Sequence, residues 1–198
     1  MQKNIFLSAS IPLPERDPKF INSADISAIR DSVNALTKYI IPKAHLIWGG
    51  HPSITPLIKY TLEQLEYDVK EHVTLYQSRL FEKFFPKDNE SFANIKLIDS
   101  VDNDREESLL VMRNKMLSKD KKFIAGIFIG GMEGIETEML IFKENHPNAL
   151  ILPIASTGAG ALEIYNKYNT YYPSHLKDEL KSNYAYLSLF TKLLGDKL

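Results

Sequence analysis

Phe123-Ile124-Ala125-Gly126-Ile127-Phe128-Ile129 is an unbroken apolar run that stops at a double glycine, Gly130-Gly131. A strand with one wet face alternates apolar and polar residues. A strand covered on both faces reads as a continuous apolar run. Five shorter runs are of strand length: Asn4–Ser8, Ala44–Trp48, His72–Tyr76, the weaker Ile95–Ile98, and Ala149–Ile154. The second of them also closes on a double glycine, Gly49-Gly50.

Segments of helical period lie between these runs. Ser23 is placed to cap a helix in which Ile26, Ile29, Val33, Leu36 and Ile40 recur at three-to-four spacing, with Pro42 to stop it. Further helices are expected from Ser53 to Glu66, Asp104 to Ser118, Glu136 to Glu144, Ala159 to Tyr168 and Asn183 to Leu194. The alternation predicts an α/β chain. Its form is a three-layer Rossmann-like fold, with a mostly parallel sheet of about five to seven strands and helices on both faces. At 198 residues the whole chain, 1–198, is expected to form one domain. Segments 11–22 and 169–181 lack a clear period and read either as binding loops or as surface filler.

Lys and Arg total 24 against 25 Asp and Glu, a formal net charge of −1. Such a chain has no global positive field for a nucleic-acid backbone or an acidic membrane, so neither is an expected partner. The absence of cysteine excludes disulfides, a thiol nucleophile and a zinc–thiolate site. The five histidines contain no i, i+4 pair, and neither a metal nor a cofactor is expected. The apolar run at Ile5-Phe6-Leu7 is too short for a signal peptide, and no run approaches the roughly 20 apolar residues of a membrane helix. A cytoplasmic location is expected.

Open parallel sheets bind ligands outside the carboxyl ends of their strands. Ser8-Ala9-Ser10 follows the first run and Gly49-Gly50-His51-Pro52-Ser53 the second. Gly130-Gly131-Met132-Glu133-Gly134 follows the fifth and Ala155-Ser156-Thr157-Gly158 the sixth. Glycine lets backbone N–H groups come close to a phosphate, and a following helix adds unpaired N–H groups and partial positive charge. These loop residues are the candidate ligand contacts, Ala9, Pro52 and Ala155 excepted. His51 suits a phosphate or a base, and equally a loop carbonyl. Arg16 and Arg79, after the first and third runs, are candidate phosphate partners.

The same segments resemble the SLOG superfamily, the nucleotide-binding Rossmannoid group that includes the LOG phosphoribohydrolases, often labelled lysine decarboxylase-like. Ser8-Ala9-Ser10 resembles the small-residue loop after that family's first strand. Leu46-Ile47-Trp48-Gly49-Gly50-His51 resembles its glycine-rich loop after the second. Ile129-Gly130-Gly131-Met132-Glu133-Gly134-Ile135-Glu136-Thr137-Glu138 resembles the LOG signature proline-glycine-glycine-x-glycine-threonine-x-x-glutamate. Met112-Arg113-Asn114-Lys115-Met116 resembles the upstream methionine- and arginine-containing helix motif. Ile129 stands for the proline, Ile135 for the threonine, and one extra residue lies between Gly131 and Gly134. These departures are more like the SLOG branches of bacterial conflict systems, which bind NAD-derived nucleotides.

The resemblance implies a nucleotide site in which Glu138 meets the ribose and Arg113 meets a phosphate or Glu138 itself. Glu136 competes for the ribose role, and a solvated helix arginine is the alternative for Arg113. It further implies a sensor of ADP-ribose or a cyclic ADP-ribose-like ligand, acting in antiviral defence with a separately encoded effector protein. The other implied reading is an enzyme that cleaves the N-glycosidic bond of a nucleotide, with Glu138 and Arg113 catalytic. The resemblance also implies a homodimer, since related proteins commonly form dimers. Met112, Met116, Tyr184 and Tyr186 are candidates for such an interface or for the core.

Overall fold

The computed structural model describes residues 3–41, 43–65 and 72–198. Each apolar run becomes a strand: β1 (Asn4–Ser10), β2 (His45–Trp48), β3 (Val73–Ser78), β4 (Ile95–Ile98), β5 (Phe123–Gly130) and β6 (Leu150–Ile154). Neighbours pair in parallel, in the order β4-β3-β2-β1-β5-β6. The described helices are α1 (Pro18–Ser23), α2 (Ile26–Ile40), α3 (Thr55–Gln64), α4 (Arg105–Met116), α5 (Glu133–Asn145), α6 (Ala159–Lys167), α7 (Lys177–Ser182) and α8 (Tyr186–Leu194).

Both sheet faces are covered over the inner strands, as their continuous apolar runs require, whereas the edge strand β4 leaves Lys96 and Leu97 exposed. Successive strand side chains point to opposite faces. Ile5, Leu7, Leu46 and Ile127 pack on one side with Ile29 and Leu36 of α2, Ile58 of α3 and Phe190 of α8. Phe6, Ile47 and Phe128 face the other side, against Met112 and Met116 of α4 and Met139 and Phe142 of α5. Phe6 stacks on Phe142, with ring centroids 5.6 Å apart, and Phe128 meets Phe6 edge-on at 5.9 Å. The result is a three-layer Rossmann-like α/β fold. Met112, Met116 and Tyr186 belong to this core, whereas Tyr184 is exposed. No described helix is long and apolar enough to cross a membrane.

The Ser23 cap expected for α2 is corrected. Asp25 caps that helix, its carboxylate accepting the Ala28 N–H at 2.9 Å. Ser23 is instead the last residue of α1, which Asp17 caps and Pro18 begins. A capping carboxylate and a pre-set proline φ start a short helix that apolar period does not reveal. α5 begins at Glu133 rather than Glu136. α8 begins at Tyr186 rather than Asn183, because Asn183 is extended and its side chain accepts the Ala185 N–H at 2.8 Å. Segments 11–22 and 169–181 are partly helical, holding most of α1 and α7. Pro42 and Glu66, the expected helix stop and helix end, lie outside the described residues.

The strand order places the site. From β1 the sheet grows outward through β2, β3 and β4, and the chain then returns to set β5 on the other side of β1. Ser8 lies level with Phe128, and Ser10 with Gly130. The carboxyl ends of β1 and β5 therefore flank the point where strand order reverses, and a crevice opens there.

Candidate functional site

A cleft of about 410 Å³ occupies this crevice, within the range of small-molecule sites. Ser8 and Ser10 come to it from β1, and Gly49, Gly50 and His51 from the loop after β2. Gly131, Met132, Glu133 and Gly134 come from the loop after β5, Arg113 from α4 and Glu138 from α5.

Its inner end is built around Glu138. The Ser8 hydroxyl donates to Glu138 Oε2 at 2.5 Å, and Arg113 Nε donates to Oε1 at 3.3 Å. Both charged side chains are largely buried, Arg113 at 9% exposure and Glu138 at 15%. Charges taken out of water persist when paired and hydrogen-bonded. Gly134 makes this packing possible, because a Cβ there would lie 2.7 Å from Arg113 Nη2. The guanidinium thus rests on the opening turn of α5, where the helix carries partial positive charge, Ile135 N–H is taken by the Met132 carbonyl at 3.2 Å and Glu133 N–H by its own carboxylate. Side by side are a fixed carboxylate, the Nη groups of a buried arginine and a helix N-terminus. That set can hold hydroxyl groups next to an anion.

The amides of Gly130 and Gly131, expected to cradle phosphate, are turned inward. Gly130 N–H donates to Thr157 Oγ1 at 2.9 Å, and Gly131 N–H to the Ser10 carbonyl at 2.8 Å. Gly130 adopts φ +56°, and a Cβ would strike the Ser10 carbonyl at 2.7 Å, so this tight return to β1 needs glycine. The loop after β6 stands behind the cleft rather than lining it. Thr157 also donates to the Ile154 carbonyl at 2.6 Å, and Ser156 donates to the Asn183 carbonyl at 3.1 Å. Gly158 is packed against the Ser23 carbonyl. Ser156, Thr157 and Gly158 thus stay outside the cleft lining.

Ser53 serves the cleft at one remove. Its hydroxyl accepts the Ile11 N–H at 3.1 Å and lies 2.7 Å from His51 Nδ1, which also accepts the Ser53 N–H at 3.3 Å. With Nδ1 engaged as acceptor, a neutral His51 carries its proton on Nε2. Burial lowers its pKa from 6.5 to about 4. Arg16 pairs with Glu133 across the cleft mouth. Burial pushes the Glu133 carboxyl up, but its own backbone N–H and Arg16 outweigh that and hold it below the usual range. Arg79 lies elsewhere, 3.1 Å from Asp99 in a shallow depression beside β4. Glu136 is bound on the outer side of α5 by Lys167 and Tyr168.

One wall escaped the motif reading. Phe81, Phe84, Phe85 and Pro86 follow β3 and border the outer half of the cleft, with Leu109 and Gln77 beside them. The carboxyl-end rule also points to this loop, and its three phenylalanines in Phe81-Glu82-Lys83-Phe84-Phe85 are the signal that would have found it. Among the described residues no group of three or more His, Asp or Glu could hold a metal ion.

A model of the SLOG cluster3 family matches residues 19–194. Among solved structures, the X-ray structure of TM1055, a structural genomics target, is similar at a TM-score of 0.49 and 14% identity, over 83% of this chain and 81% of that one. No curated protein matches the chain.

Proposed function

The chain belongs to the SLOG cluster3 family, and on that premise we propose that the cleft binds a nucleotide-derived ligand of the ADP-ribose or cyclic ADP-ribose kind. In this reading the protein is a sensor in antiviral defence that reports to a separately encoded effector. The observation that carries the reading is the cluster of Ser8, Glu138 and Arg113 beneath the N-terminus of α5. A ribose offers hydroxyl donors to the Glu138 carboxylate, and a phosphate matches the Arg113 Nη groups and the α5 N-terminus. Both Glu138 oxygens already accept hydrogen bonds, which suits a fixed acceptor.

The second reading is hydrolysis of the N-glycosidic bond, and the position of Glu138 inside the cleft favours it. There water would bond to the anomeric carbon, the bond to the base would break and the base would leave with a proton. Glu138 would stabilise the positive charge that develops on the ribose.

Calorimetric titration with ADP-ribose, cyclic ADP-ribose and AMP, beside chromatography of overnight incubations, separates the two. Arg113→Ala should weaken binding by about 1.5–3 kcal/mol, roughly ten- to 150-fold. For a sensor, Glu138→Gln changes affinity alone. Release of free base by the wild type, abolished in Glu138→Gln, would establish the enzyme instead. No binding and no turnover with any of these nucleotides would defeat both readings.

A further inference from the structure

We infer that the outer half of the cleft is a seat for a planar nitrogen heterocycle, with Gln77 as the donor that reads its edge; this rests on the nucleotide reading above and names where the base lies. The two halves differ in chemistry. The inner half holds the buried arginine and carboxylate, whereas the outer half is bordered by Phe81, Phe84, Phe85, Pro86, Leu109 and Leu13. Phe84 is 75% exposed and Leu13 47% exposed, and both border this one cleft. Scattered exposed apolar residues need no explanation, but a cluster rimming a concave site marks a binding surface. Aromatic side chains favour a flat π-system as occupant, since any base can stack on them.

Gln77 adds direction to this apolar seat. It lines the cleft and is 6% exposed. Its Oε1 accepts from Asn89 Nδ2 at 2.7 Å, which engages one end of the amide. The Nε2 group is left over, and among the described residues it makes no hydrogen bond. It lies under the β2 loop, where a Cβ on Gly50 would come within 2.9 Å of it. The group faces the cleft with no acceptor from the described residues, and a ligand atom that accepts from Gln77 would use the donor that is left open. The occupant is therefore a ring with an acceptor at its edge, joined to a ribose and phosphate held at the inner end.

The test is calorimetric titration of the full chain with AMP and with ribose 5-phosphate, which lacks the base. Fluorescence of Trp48, the single tryptophan of the chain and a cleft residue, is a second readout. AMP should bind about 5- to 150-fold more tightly than ribose 5-phosphate. Phe84→Ala, and Gln77→Met, which removes the donor without adding a charge, should erase most of that difference. Equal affinity for the two ligands, or AMP affinity unmoved in both variants, would overturn the base seat and leave the nucleotide site standing. Failure of the wild type to bind either ligand, or ADP-ribose, would instead remove the nucleotide reading and the base seat with it.

Discussion

The loops after β5 and β6 look alike in sequence. Each follows a buried strand, carries glycine and leads into a helix. In space they diverge. The β5 loop stands where strand order reverses beside β1, and Met132, Glu133 and Gly134 open into the cleft. The β6 loop stands one strand farther out and spends its hydroxyl groups on the protein itself. Thr157 clasps Gly130 and Ile154, and Ser156 ties to Asn183 and Tyr186. Position in the strand order, rather than glycine content, separates a loop that opens into the cleft from a buttress.

The contrast breaks most visibly at Gly158. It sits at φ +70°, and a Cβ would lie 1.8 Å from the Ser23 carbonyl oxygen. Gly158→Ala should destabilise the fold by at least about 3 kcal/mol through strain and overlap, measured by urea unfolding. The molecules that remain folded should bind AMP as the wild type does. A Gly158→Ala protein of normal stability would show that the β6 loop is not locked.

Thr157→Val comes next. It leaves the buried Gly130 N–H without an acceptor, a loss of about 1–3 kcal/mol. The same unfolding measurement should register it. If AMP affinity falls while the unfolding midpoint stays, Thr157 belongs with the ligand contacts and the contrast fails.

His51, on the open side of the comparison, should give the smallest effect. Its folded pKa of about 4 lies below the ordinary 6.5. The unfolded chain takes up a proton below about 6.5 that the folded protein refuses. The contribution of neutral His51 to stability is therefore complete above that pH and is lost as pH falls towards about 4, amounting to about 1 kcal/mol near pH 5.5. Thermal midpoints of the wild type should fall more steeply over this window than those of His51→Gln. Equal slopes would show that folded His51 is charged there.

Much of this was open to reading from the chain. Burial on two faces writes itself as continuous apolar runs, and the inner strands lie where those runs stand, while the edge strand β4 carries an exposed Lys96. Glu138, Arg113, Ser8 and Gly134 were marked by motif and meet in one cleft. The aromatic wall was not marked. Phe81, Phe84 and Phe85 lie in and just after a 3-10 turn at Arg79–Phe84, which has no 3.6-residue period, and a phenylalanine read alone is assigned to the core. The inward bonds of the Gly130 and Gly131 amides were not legible, since a glycine that permits a tight turn and one that donates to phosphate have the same letter.

The amino-acid order alone settles the α/β class, the buried strands and the residues able to do chemistry, because apolar runs, caps and motifs are properties of neighbours in sequence. Tertiary packing settles which of those residues work together. Setting β5 beside β1 brings Glu138 to Ser8 across 130 positions and Glu133 to Arg16 across 117, and it leaves Arg79 and Thr157 outside the cleft. Such pairings depend on how two helical layers fill the two faces of one sheet, and no local stretch of the chain carries that information.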